Sequence, residues 1–253
     1  APDQEVILPS TLAGTYYVLL YGANVPYGYP IPLPEYTLLA EVLPFSLRDV
    51  QARTIGTQGA ATLEVTGARF SPETAFALVD PDGGVVEAIR VVVEDASLAY
   101  VTFDLGGQQT GAWDLRLTAA DGDEALLEDG ITVVEGVGPQ IFSSIQGPRS
   151  VRPNRLYSFN LAYSNGGDAD AMSPLFFVTS PTDTPFGPTY DTLGFSSSVQ
   201  VLGVSLDGQQ DTLRPGDQDA ISMLFRSSTD PIRFHTRTIA ATNPDPIDLD
   251  LLE

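Results

Sequence analysis

Ala61-Thr62-Leu63-Glu64-Val65-Thr66-Gly67 alternates apolar and polar side chains, with Leu63 and Val65 on one face and Thr62, Glu64 and Thr66 on the other. A period of two sends successive side chains to opposite faces of a pleated ribbon, so this stretch is a strand with one covered face. Phe70 follows its closing glycine. The same pattern spreads downstream. Residues 75–79 and 88–93 read as strands, as do 100–105, with Val101, Phe103 and Leu105 on one face, and 113–118, with Trp113, Leu115 and Leu117 inward. Residues 131–134 close the block. Between them lie turn residues such as Asp80-Pro81-Asp82-Gly83-Gly84, whose glycines supply positive φ. Helical periodicity is almost absent.

About six or seven short strands in one block is the count of an Ig-like sandwich. A second such block follows Gly136-Val137-Gly138-Pro139, which reads as a linker, with strands over 156–163, 174–179, 199–204, 220–225 and 232–239. Upstream, Thr15-Tyr16-Tyr17-Val18-Leu19-Leu20-Tyr21 is apolar or aromatic on both faces and pairs in this reading with a strand over 36–42. The intervening 24–34 holds four prolines and cannot be a central strand. The expected fold is therefore all-β: tandem Ig-like β-sandwich domains with an extra N-terminal strand pair. Residues 1–43 form the strand pair, 44–136 the first sandwich, and 137–253 the second with an extended, proline-stiffened tail at Asn243-Pro244-Asp245-Pro246.

Charge narrows the function. Thirty-three acidic residues stand against 12 basic ones, all arginine, for a formal net charge of −21. Such a surface repels phosphate backbones and anionic headgroups, which need a basic patch, so nucleic acid is excluded as a partner. It attracts cations and keeps copies apart. No apolar run approaches the roughly 20 residues of a membrane helix, and membrane insertion is not expected. The N-terminal Ala1-Pro2-Asp3-Gln4 has neither a basic nor a hydrophobic leader region, so an exported chain would have its signal upstream or already removed. The absence of cysteine removes disulfides, zinc thiolates and cysteine nucleophiles together. The absence of lysine removes Schiff-base chemistry and lysine crosslinks.

Three stretches look familiar as families. Gly14-Thr15-Tyr16-Tyr17-Val18-Leu19-Leu20-Tyr21-Gly22 with Tyr36-Thr37-Leu38-Leu39-Ala40-Glu41-Val42 resembles the last two strands of bacterial pre-peptidase C-terminal domains. Thr62-Leu63-Glu64-Val65-Thr66-Gly67-Ala68-Arg69-Phe70, with Gly111-Ala112-Trp113-Asp114-Leu115-Arg116-Leu117 and Gly130-Ile131-Thr132-Val133-Val134, resembles an IPT/TIG Ig-like domain. Tyr157-Ser158-Phe159-Asn160-Leu161-Ala162-Tyr163-Ser164-Asn165-Gly166-Gly167-Asp168 and Leu213-Arg214-Pro215-Gly216 make the last block similar to adhesion-related (CARDB-like) Ig-like domains. These resemblances imply a secreted, cell-surface, multi-domain and non-enzymatic setting. Residues 1–43 carry only about half the strands of a pre-peptidase-like sandwich. Three explanations stay open: a longer parent chain, strands joining the next block, or β-strand addition to another copy.

Chemistry is thin. His235, in Arg233-Phe234-His235-Thr236-Arg237, is the one histidine, and no Gly-x-Ser-x-Gly elbow exists to supply a serine, so no catalytic residues are expected. Calcium is the most credible ligand, because hard cations take carboxylate oxygens. Asp80 and Asp82 in one turn and Asp121 and Asp123 in another are the candidate ligands, with Asp168 and Asp170 similarly spaced. Solvated turn acids are the plainer reading. Tyr16, Tyr17, Tyr27 and Tyr29 are candidate partner contacts, since exposed aromatics stack on sugars or dock proteins. The expected role is an extracellular structural or adhesive segment, with other copies, neighbouring domains or surface polysaccharide as partners. A carbohydrate- or ligand-binding accessory module of a secreted hydrolase is the alternative.

Overall fold

The computed structural model describes residues 6, 8, 15–19, 38–188, 194–205, 211–228 and 231–239, and every element in them is a strand. The first sandwich has two sheets. One orders β1 (Ser46–Gln51), β3 (Ala60–Ala68), β7 (Leu98–Asp104) and β6 (Arg90–Asp95). The other orders β2 (Thr54–Gly56), β9 (Glu124–Val134), β8 (Gly111–Thr118), β4 (Ala75–Val79) and β5 (Val85–Glu87). All pairs are antiparallel except β2–β9, where the chain crosses between sheets and runs parallel to its last strand. Leu63, Val65, Val101, Phe103, Trp113, Leu115, Leu117 and Ile131 alternate inward and form one buried cluster. Trp113 is fully enclosed, and its indole N–H donates to the Gln109 carbonyl at 3.2 Å, which removes the cost of burying that polar atom.

Two strands escape simple alternation, each for a physical reason. In β1 the register shifts between Leu47 and Asp49, so the polar edge strand carries no clean period. β9 is 11 residues long, starting well before the expected 131–134. A bulge opposite Asp114 interrupts it, with Asp129 at a φ of 50° and its N–H donating to the Asp114 carboxylate at 2.8 Å. Three residues of β9 oppose one of β8 there, which keeps Ala125 and Leu127 on the same core side as Ile131 and Val133. The exposed Leu126 between them makes an unbroken apolar run that hides the first half of the strand from a period-two reading.

The second sandwich faces a sheet of β10 (Ile141–Gln146), β11 (Leu156–Asn165), β17 (Gln218–Arg226) and β14 (Phe186–Pro188) against β15 (Ser198–Leu202), β13 (Leu175–Thr179) and β18 (His235–Ile239). A short ribbon of β12 (Ala171–Met172) and β16 (Thr212–Leu213) stands at one end. Its core is aromatic: Phe159 stacks on Phe234 at 4.3 Å between centroids, and Phe186, Phe225 and Phe176 close around them. The two cores share no member.

Residues 15–19 and 38–43, expected within an N-terminal strand pair, form no strand. Tyr17 is 93% exposed, Leu19 92% and Val42 94%. A segment apolar on both faces needs cover on both faces, and the described residues supply none there. The rest of that pair, and the tail beyond 239, lie outside the described residues.

Candidate functional site: the joint between the sandwiches

The polar chemistry of the chain converges where the two sandwiches meet. Arg214-Pro215-Gly216-Asp217 follows β16, with Pro215 preset for the second position of a turn and Gly216 at a φ of 85° in the third. The Asp217 N–H closes the turn on the Arg214 carbonyl at 3.0 Å. This geometry sets Arg214 and Asp217 side by side, with Nε 3.0 Å from the Asp217 carboxylate. The guanidinium then reaches out of its own domain, bonding Glu64 on β3 at 3.1 Å and lying 4.7 Å from the centre of the Tyr100 ring on β7. Burial disfavours its charge, yet Asp217 and Glu64 together raise its pKa above the ordinary value.

Asn165, at the end of β11, anchors that turn. Its amide nitrogen donates to the Ala169 and Leu213 carbonyls at 2.8 and 2.9 Å, and its amide oxygen accepts from the N–H groups of Gln140 and Gly167. The side chain is fully buried with all four bonds made, so it shapes the loop between β11 and β12 into a fixed tongue.

That tongue, residues 168–170, lies along the first sandwich. Gly56 N–H donates to the Asp168 carbonyl at 2.8 Å, and Asp170 N–H to the Ala60 carbonyl at 2.8 Å. The Asp168 carboxylate turns back to the linker and accepts from Val137 and Gly138 N–H at 2.9 Å each. The Asp170 carboxylate accepts from Thr62 twice, from its N–H at 2.9 Å and from its hydroxyl at 2.6 Å, and Thr62 in turn meets the Thr102 hydroxyl at 2.8 Å. The approach is close enough that a Cβ at Gly56 would lie 2.5 Å from the Asp168 carboxyl carbon. A Cβ at Gly167 would lie 2.5 Å from the Gln140 nitrogen, so both positions require glycine. Burial pushes the Asp170 carboxyl up to about 6, with nearby Asp217 adding to the rise, while the Thr62 bonds and Arg214 oppose it.

The expected ligands fall elsewhere. Asp80 accepts from Asp82 and Gly84 N–H at 2.8 Å, closing the β4–β5 turn, and Asp121 accepts from Asp123 N–H at 3.3 Å in the β8–β9 turn. Because β4 and β8 pair as Ala75↔Thr118 and Val79↔Asp114, these turns sit at opposite ends of one sheet and cannot share an ion. Among the described residues no group of three or more His, Cys, Asp or Glu side chains is placed to hold a metal. Asp168 and Asp170, similarly spaced acids, bind protein donors at the joint. Tyr16 and Tyr17 are exposed at 54% and 93%, whereas Tyr27 and Tyr29 lie outside the described residues. His235 is exposed on the edge strand β18.

No family model matches the sequence, and no curated protein matches it. Among solved structures it is similar to a DUF4785 family protein from Legionella pneumophila, at 12% identity and a TM-score of 0.26, over 76% of this chain and 51% of that one. It is also similar to a mutant alpha-2-macroglobulin from Salmonella (14% identity, TM-score 0.26, 79% of this chain and 15% of that). Native alpha-2-macroglobulin from E. coli gives 13% identity and a TM-score of 0.25 over 75% of this chain and 14% of that. The chain thus spans about half of the first of these proteins and a small part of the others. Likenesses this slight define no family.

Proposed function

We propose that this chain is a non-catalytic extracellular structural segment that holds two sandwich domains at a set angle, as a rigid spacer of a bacterial surface protein. One observation carries the reading: the second domain's tongue is hydrogen-bonded into the first domain, and Arg214 clasps Glu64 across the gap. Inter-domain contacts default to mobility unless something beyond the linker locks them. Here backbone bonds, side-chain bonds and the linker itself converge on residues 168–170. The acidic, cysteine-free composition and the resemblance to surface-protein modules support the extracellular setting.

Small-angle X-ray scattering of the whole chain tests the proposal. A single rigid arrangement of the two sandwiches should fit the profile. A profile that requires freely reorienting domains would remove the spacer role.

A second reading rests on the exposed segment 15–19. Tyr17, Val18 and Leu19 present apolar side chains to water at 93%, 61% and 92% exposure, which suits strand addition to another copy. Deleting residues 1–43 should then abolish any concentration-dependent assembly seen by light scattering. Assembly that survives the deletion would exclude this role.

A further inference from the structure

We propose that Asp170 makes the joint proton-sensitive: one proton on its carboxyl locks the tongue onto the first sandwich, and loss of that proton loosens it. The inference rests on the rigid-joint reading above and adds a control to it.

The geometry supplies the device. With Arg214, Asp170 is a side chain that the second domain sets against the first, and the elements around it carry charged or polar groups. β3 brings Thr62 and Glu64. β7 brings Thr102, Tyr100 and, further along the same face, Asp104. The turn after β16 brings Arg214 and Asp217, while Asp168 on the tongue turns its carboxylate away to the linker amides. The set holds one cation, and that cation is already bonded to Glu64 and Asp217. An ionised Asp170 therefore adds a largely buried negative charge beside the Asp217 carboxylate, compensated mainly by the two Thr62 bonds and in smaller part by Arg214.

A proton removes that charge without losing the bonds. The protonated Oδ2 can donate to the Thr62 hydroxyl over the observed 2.6 Å, and Thr62 can donate on to Thr102 at 2.8 Å. In the ionised form the same chain runs in reverse, toward the carboxylate. Thr62 N–H bonds Oδ1 in both states. The proton thus changes the electrostatics of the joint and leaves its geometry in place.

The sign follows from linkage. The carboxyl is raised from 3.8 to about 6 when the joint is closed, so closing takes up a proton. The joint is tightest below about pH 4, weakens as pH rises toward 6, and levels off above. Roughly two pK units correspond to at most about a hundredfold in the closing equilibrium.

Hydrogen exchange by NMR on the whole chain reads this directly, as protection factors of the Thr62 and Asp170 amides across pH 4.5 to 7.5, with Leu115 as a core reference. The wild type should lose tens-fold protection at the two joint amides over that range relative to Asp170→Asn, which keeps an acceptor and a donor without the charge. Leu115 should follow neither change. Equal pH dependence in wild type and Asp170→Asn would overturn the proposal. If Asp170→Asn does not fold, the carboxyl carbon shift of Asp170 in the wild type decides: a midpoint near 6 supports the device, and one near 4 refutes it. Joint amides unprotected at every pH would instead sink the rigid joint itself.

Discussion

Replacing Arg214 with alanine should uncouple the two sandwiches, and its effect can be read in a domain to which Arg214 does not belong. The wild-type side chain is 9% exposed and bonds Glu64 at 3.1 Å and Asp217 at 3.0 Å. Breaking a fully buried pair costs about 3–5 kcal/mol, because the partner is left charged and dry. Glu64 and Asp217 keep 24% and 17% of their side-chain surface, so water can re-solvate them in part, and about 2–3 kcal/mol is the fitting total. The Asp217 share stays within the second domain. The Glu64 bond and the Tyr100 contact cross the joint, and together they are worth roughly 1–1.5 kcal/mol.

Trp113 is the sole tryptophan and sits at the centre of the first sandwich, so urea unfolding followed by its fluorescence reports that domain. With a urea slope of about 1–1.5 kcal/mol per molar, Arg214→Ala should lower the Trp113 midpoint by about 1 M. A cycle with Glu64→Gln should recover a coupling of about 1 kcal/mol. A Trp113 midpoint that stays in place, while circular dichroism shows the second domain destabilised, would refute the coupling.

Asn165→Ala should be strongly damaging to the second domain, since it strands two carbonyls and two N–H groups around the tongue. A loss of roughly 3 kcal/mol should lower that domain's melting temperature by about 10 °C or more in calorimetry. Gly67→Ala should cost the first domain about 1–3 kcal/mol, because the new methyl would strike the Ser46 carbonyl and the Phe70 ring; urea titration on Trp113 measures it. Asp80→Ala should cost about 1 kcal/mol through loss of its bonds to Asp82 and Gly84 N–H, equally in calcium and in EDTA. A loss confined to calcium-containing buffer would restore that turn as an ion site.

Much of the architecture was legible from residues alone, because strand alternation is a local property. Leu63 and Val65, Val101 and Phe103, Trp113, Leu115 and Leu117 declare their inward face by a period of two, and those residues line the first core. Where the alternation is locally broken, the reading failed. The exposed Leu126 between Ala125 and Leu127 concealed the first half of β9, and the short polar β1 offered no period.

What residues 168–170 do was decided only by the fold. In sequence, Asp168 and Asp170 are two acids in a glycine-rich loop, the same signal that Asp80 and Asp121 give in surface turns. Which donors a carboxylate meets depends on segments far along the chain: Thr62 is 108 residues from Asp170, and Glu64 is 150 from Arg214. A repeating local pattern can fix which face of a strand is buried. It cannot say which distant amide will sit within 3 Å of an oxygen, because that distance is set by how two finished sandwiches come to rest against each other.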